Sequence, residues 1–148
     1  MSKKILVTGG NGLVGSQFEG NDYIKYSSKL FDLRNTNHVD SMFRKLQYEP
    51  FMLDGVIHTA AKVGGVGGNM KYKGEFFYDN IMMNTNVIES ARKHNVKNLV
   101  CFLSTCVFPN DVEYPLTEKK IHLGAPHTSN DAYAYAKRMA EVQIRAYR

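Results

Sequence analysis

The sequence has little that would let it cross a membrane, build a disulfide framework or bind nucleic acid. No apolar run in its 148 residues approaches the roughly 20 that a membrane-spanning helix needs. Met1-Ser2-Lys3-Lys4 leads into Ile5-Leu6-Val7, too short for a signal peptide and without a small-residue cleavage site, so a cytoplasmic protein is expected. The two cysteines, Cys101 and Cys106, make neither a disulfide scaffold nor a zinc-binding spacing. The net charge of +5 is scattered in short clusters such as Lys71-Tyr72-Lys73 and Arg92-Lys93-His94. No basic stripe for nucleic acid results, and a positive surface suits phosphate-bearing small molecules instead.

What is present is a regular alternation of apolar strands and amphipathic helices. Strands are expected at Lys4–Thr8, Tyr23–Ser27, Gly55–Thr59 and Asn98–Ser104. Helices are expected from Gly12 to about Glu19, from Asn35-Thr36-Asn37 to Gln47 with Val39, Phe43 and Leu46 on one face, and from Glu75 to Val96. In that third helix Phe77, Ile81, Asn84, Ile88 and Ala91 fall at helical spacing. A last helix runs from Asp131 to Arg148, and Ala60–Gly74 and Thr105–Asn130 read as loops. The pattern predicts one α/β domain over 1–148, a Rossmann-like doubly wound parallel sheet left incomplete at its C-terminal side. The chain stops inside a helix with no strand after it, so a fragment is expected.

Chemistry enters at the first turn. Gly9, Gly10, Asn11, Gly12, Leu13, Val14 and Gly15 follow the first strand and carry the spacing Gly-x-x-Gly-x-x-Gly. Such a turn lets backbone N–H groups approach a pyrophosphate. After the second strand comes Tyr26-Ser27-Ser28-Lys29, with no carboxylate for ribose hydroxyls. Ser28 and Lys29 suit a 2′-phosphate, so NADP is the expected cofactor. Ala60 and Ala61, small residues after the third strand, would let it pass closely.

Tyr133 and Lys137 lie at i and i+4 on the last helix, on one face. A phenol, with a pKa of about 10, can protonate a ketone oxygen, and a nearby ammonium is expected to lower that pKa. Lys137 would also hold the nicotinamide ribose. Ser104 is expected at the C-terminal end of the fourth strand, where open α/β sheets bind ligands, with Leu103 beside it in the cofactor wall.

The glycine spacing and the Ser, Tyr-x-x-x-Lys order resemble the extended short-chain dehydrogenase/reductases, in which a pair like Asp32-Leu33 contacts adenine. Longer stretches resemble the GDP-L-fucose synthase family: His58-Thr-Ala-Ala-Lys-Val-Gly-Gly65, Leu103-Ser-Thr-Cys-Val-Phe-Pro109, Tyr133-Ala-Tyr-Ala-Lys-Arg-Met139 and Val142-Gln-Ile-Arg-Ala-Tyr147. The resemblance implies an NADPH-dependent epimerase/reductase of a GDP-linked 4-keto-6-deoxy sugar. Ser104, Tyr133 and Lys137 match its reductase triad and Cys106 its epimerisation base. If strand geometry persists past Ser104, the two residues share a face. The resemblance also implies a homodimer paired through the two long helices. It implies a histidine acid and a C-terminal substrate domain that lie outside these residues. His58 reads as a packed or capping residue. Two alternatives stay open: a non-catalytic cofactor-binding or dimerising fragment, and another sugar-nucleotide epimerase or dehydratase.

Overall fold

The structure is a computed structural model and describes residues 2–148. Four strands form one parallel sheet: β1 (Ser2–Thr8), β2 (Tyr23–Lys25), β3 (Phe51–His58) and β4 (Asn98–Cys101), in the order β2-β1-β3-β4. The chain steps one way from β1 to β2, then the other way to β3 and β4. The reversal leaves a crevice between β1 and β3 at their carboxyl ends. The expected Rossmann-like α/β arrangement is present.

α1 (Thr36–Gln47) and α3 (Lys73–Lys93) cover one face of the sheet. Val39, Met42, Phe43 and Leu46 of α1 and Val87 and Ala91 of α3 pack on Leu6 of β1 and Val56 of β3. Local chemistry fixes the helix ends. Asn35 caps α1, its Oδ1 accepting from the N–H groups of Asn37 (2.9 Å) and His38 (3.2 Å). α3 stops at Asn95, φ +57°, where the Val96 N–H reaches the Ala91 carbonyl at 2.9 Å. α4 (Asp131–Ala146) lies against α3.

Beyond small end shifts, such as β2 ending at Lys25 instead of Ser27 and α3 at Lys93 instead of Val96, the sequence reading fails at five points, each with a physical cause. The helix expected from Gly12 to Glu19 is a single 3₁₀ turn, Gly15–Gln17. Gly20, at φ +108°, reverses the chain before an α-helix can nucleate. The second face of the sheet is therefore thinly covered. Phe18 sits edge-on to Phe102 at 6.5 Å between ring centroids, and Val100 remains 55% exposed. β3 begins at Phe51 rather than Gly55, because the ladder with Ser2–Lys4 continues through an irregularity at Lys4/Ile5. The loop expected over Ala60–Gly74 contains α2 (Gly65–Lys71); the Phe76 ring fills the space beside Gly64, and packing overrides the poor helix propensity of glycine. In α3 it is Phe76 that is buried, while Phe77 is 41% exposed. β4 ends at Cys101 instead of Ser104: β3 stops at His58, whose carbonyl accepts the Phe102 N–H at 3.0 Å, and no ladder partner follows.

Phe43 has no exposed surface and stacks on His94 at 5.5 Å. Phe43→Ala is expected to lower the unfolding free energy by about 3–5 kcal/mol, read by urea denaturation.

Candidate active site

The turn after β1 lies against the segment after β3. Gly9 has φ +71°, and a Cβ there would stand 2.6 Å from the Ala60 nitrogen. A Cβ on Gly15 would collide with the Gly9 carbonyl. Beneath the turn runs the Lys25 stem, and its Nζ donates to the Ser16 carbonyl at 3.2 Å. The turn thus rests on a lysine where a longer helix was expected.

Above it opens a cavity of about 840 Å³. All seven turn residues, Gly9 to Gly15, line it. So do Ser28, Asp32, Leu33, Ala60 and Ala61 on one side and Leu103, Tyr133 and Lys137 on the other. Lys29 is an exposed residue outside the cavity wall. Ser104 and Cys106 also lie outside that wall, half-buried past the end of β4. Cys106 belongs to a 3₁₀ turn, Thr105–Val107, so the strand geometry expected to align it with Ser104 does not persist. Burial pushes the Cys106 thiol up, and the nearby Ser104 hydroxyl opposes it.

Tyr133 and Lys137 share a face of α4 and are 8% and 1% exposed. Lys137 Nζ donates to the Phe102 carbonyl at 2.8 Å, tying α4 to the exit of β4. Burial depresses the lysine, and the neighbouring thiols Cys101 and Cys106 oppose it. Tyr133 is pushed up to about 12, first by burial and then by Cys106 and Cys101. The expected lowering by Lys137 is not realised. The phenol stays protonated at neutral pH and can donate a proton.

A chain of buried hydrogen bonds locks this face to the glycine turn. The Thr8 hydroxyl lies 2.6 Å from His58 Nδ1, His58 Nε2 lies 3.0 Å from Asn84 Oδ1, and Asn84 Nδ2 donates to the Ala136 carbonyl at 3.1 Å. Asn84 Oδ1 can only accept, so Nε2 carries the proton and Nδ1 accepts from Thr8. His58 is packed, in keeping with its sequence reading. Asn80 grips the cavity wall: its Oδ1 accepts from the Lys62 N–H and its Nδ2 donates to the Lys62 carbonyl, both at 2.9 Å. Sequence reasoning missed both roles. The available signal was an asparagine pair at i and i+4 on the buried face of a helix, where apolar residues are the rule.

The cavity rim was also missed. Arg34 forks onto Asp32 at 2.8 Å and reaches Asp79 at 3.4 Å, and Lys62 meets Asp79 at 2.7 Å. The Arg34 hydrogen bonds hold the Asp32 carboxyl well below its usual range. Among the described residues, no group of His, Cys, Asp and Glu could hold a metal ion. No helix among them is long and apolar enough to cross a membrane. The arrangement can seat an elongated anionic ligand, with a backbone cradle at one end and a phenol–ammonium pair at the other.

His58 is pulled down to about 4 from 6.5, chiefly by burial and then by the Lys137 charge. Folding favours the neutral ring. The stability it contributes is complete above pH 6.5 and drains away as the pH falls toward 4. A loss of about 3 kcal/mol across that window is expected in urea titrations, and His58→Gln should flatten it.

Comparison with known proteins accords with this geometry. The family model of the NAD dependent epimerase/dehydratase family matches residues 25–148. A GDP-L-fucose synthase of Dictyostelium discoideum is 45% identical over 98% of this chain and 47% of its own length. A probable GDP-L-fucose synthase of Drosophila melanogaster is 38% identical over 98% of this chain and 46% of its own. A solved GDP-L-fucose synthetase from Naegleria fowleri bound to NADP superposes with a TM-score of 0.83 at 42% identity, over 99% of this chain and 47% of that one. The chain thus spans about half the length of the curated relatives it matches. It belongs to the NAD dependent epimerase/dehydratase family.

Proposed function

We propose that this chain is the cofactor-binding part of an NADPH-dependent epimerase/reductase that converts a GDP-linked 4-keto-6-deoxymannose to GDP-L-fucose. One observation carries the reading: the glycine turn and the Tyr133–Lys137 pair bound the same 840 Å³ cavity. The close approaches at Gly9 and Gly15 give the flat cradle that a pyrophosphate needs. The relatives named GDP-L-fucose synthase and the NADP-bound neighbour support the choice of substrate and cofactor.

The residues divide the work as follows. Backbone N–H groups of the Gly9–Gly15 turn, other than that of Gly12, which donates to the Gly9 carbonyl at 2.8 Å, would take the pyrophosphate. Asp32 and Leu33 would border the adenine, and Ala60 and Ala61 would leave room for the ribose. Ser28, on the cavity wall with no carboxylate beside it after β2, favours a 2′-phosphate; Lys29 on the surface adds charge nearby. Bound NADPH supplies the hydride that reduces the C4 ketone. Tyr133, protonated at neutral pH, gives its proton to the ketone oxygen, and Ser104 donates a hydrogen bond to the same oxygen. Lys137 holds the ribose and offsets the charge left on the phenol. Cys106 removes the proton next to the ketone during epimerisation, and the carbonyl takes up the electron pair as an enolate.

Phe77 of α3 and Tyr135 and Met139 of α4 are each about 40% exposed. A second copy of the chain is proposed to cover them, giving a homodimer. The two free cysteines suit a cytoplasmic site of action.

Titration with NADPH, followed by its fluorescence, is expected to saturate for the parent chain and for Tyr133→Phe alike. In an assay containing the remaining half of the enzyme, Tyr133→Phe should reduce ketone turnover about 100-fold or more. A chain that binds no NADPH overturns the reading. Met139→Asp should shift the sedimentation coefficient from dimer to monomer.

A further inference from the structure

Arg138 follows Lys137 on α4 and is only 4% exposed. Its Nε donates to the Val107 carbonyl at 2.7 Å, and the Tyr135 ring lies 5.4 Å from its guanidinium carbon. Its Nη2 is buried with no hydrogen-bond partner. No carboxylate among the described residues pairs with it. A guanidinium does not shed its proton, so this charge must be answered by its surroundings. Those surroundings are the 3₁₀ turn Thr105–Val107, which carries Cys106.

Cys106 feels Ser104 on its own segment and Lys137 and Arg138 on α4, and it acts in turn on Tyr133. Cys101, on β4, shares the field of Lys137 with it. None of these groups is an anion at neutral pH. Burial raises the Cys106 thiol, and Ser104, the local backbone, Lys137 and then Arg138 act in that order toward the ionised form. The two cations differ, however. Lys137 is committed to the Phe102 carbonyl and the cavity, and burial weakens its own hold on a proton. The Arg138 charge is permanent and anchored next door to the thiol.

We infer that Arg138 is a positioning residue for proton abstraction, its fixed charge drawing Cys106 toward the thiolate. The thiolate sulfur takes the carbon-bound proton next to the ketone. An S–H bond forms, the C–H bond breaks, and its electron pair moves through the new C=C bond onto the carbonyl oxygen. The inference rests on reading Cys106 as the epimerisation base. Its test measures the thiol alone, so a failure of that reading would leave the result standing and appear separately, as unimpaired epimerisation by Cys106→Ser.

The experiment uses the 148-residue chain carrying Cys101→Ser, in which Cys106 is the only thiol. The rate of alkylation by iodoacetamide is followed against pH, with far-UV circular dichroism reporting the fold. Arg138→Gln keeps a donor for the Val107 carbonyl and removes the charge, and Arg138→Met keeps the aliphatic stem. Either folded variant should raise the alkylation midpoint and slow the reaction at pH 7.5 by about twofold or more. Arg138→Lys, which retains the charge, should keep the parent midpoint. An unchanged midpoint in a folded Arg138→Gln or Arg138→Met overturns the proposal. So does an Arg138→Lys midpoint that moves as far as theirs, which would mark packing rather than charge.

Discussion

The ammonium of Lys137, 1% exposed and held by the Phe102 carbonyl at 2.8 Å, is the constraint on which the rest of this site depends. It fixes the position of α4 against the end of β4, and so the position of Tyr133. Its charge reaches three neighbours with different results. It helps keep His58 neutral inside the core, and it opposes the upward push of burial on Cys101 and Cys106. Neutral His58 can then accept from Thr8 and donate to Asn84. This chain of bonds ties the glycine turn of β1 to the Ala136 carbonyl of α4. The two ends of the cavity are held together around the same buried charge that lines it.

Where a full helix would present its dipole and unpaired N–H groups to an anion, this chain has one 3₁₀ turn over the Lys25 stem. Such a turn has too few aligned peptides for a macrodipole. On the proposed reading, an anion there would be held by the free backbone N–H groups of the loop itself. The Lys25–Ser16 contact keeps that loop seated where a longer helix would have packed.

Much of this architecture was legible in the sequence. The apolar Ile5-Leu6-Val7 run, the glycine turn behind it and the Val39/Phe43/Leu46 face identified the α/β alternation, because periodicity and turn chemistry are local. The approach of Tyr133 and Lys137 to the glycine turn was readable from their spacing and order. The extent of β3 and β4 was not, since each strand ends where its neighbour's ladder ends, a property of the partner rather than of the strand. The same holds for Arg34, Asn80, Asn84 and Arg138. Their partners Asp79, Lys62, Ala136 and Val107 lie about 18 to 52 positions away in the chain, so the pairings themselves cannot be read locally, although Arg34 also binds its neighbour Asp32 and the Asn80/Asn84 spacing offered a hint.

The central claim is that one dinucleotide lies across this cavity, from the Gly9–Gly15 cradle to the Tyr133–Lys137 pair. A crystal structure of the chain grown with NADP tests it most directly. The account predicts the pyrophosphate on the glycine turn, with a nicotinamide ribose hydroxyl within hydrogen-bonding distance of Lys137 Nζ. A dinucleotide bound elsewhere, or one whose nicotinamide end lies away from α4, would contradict it.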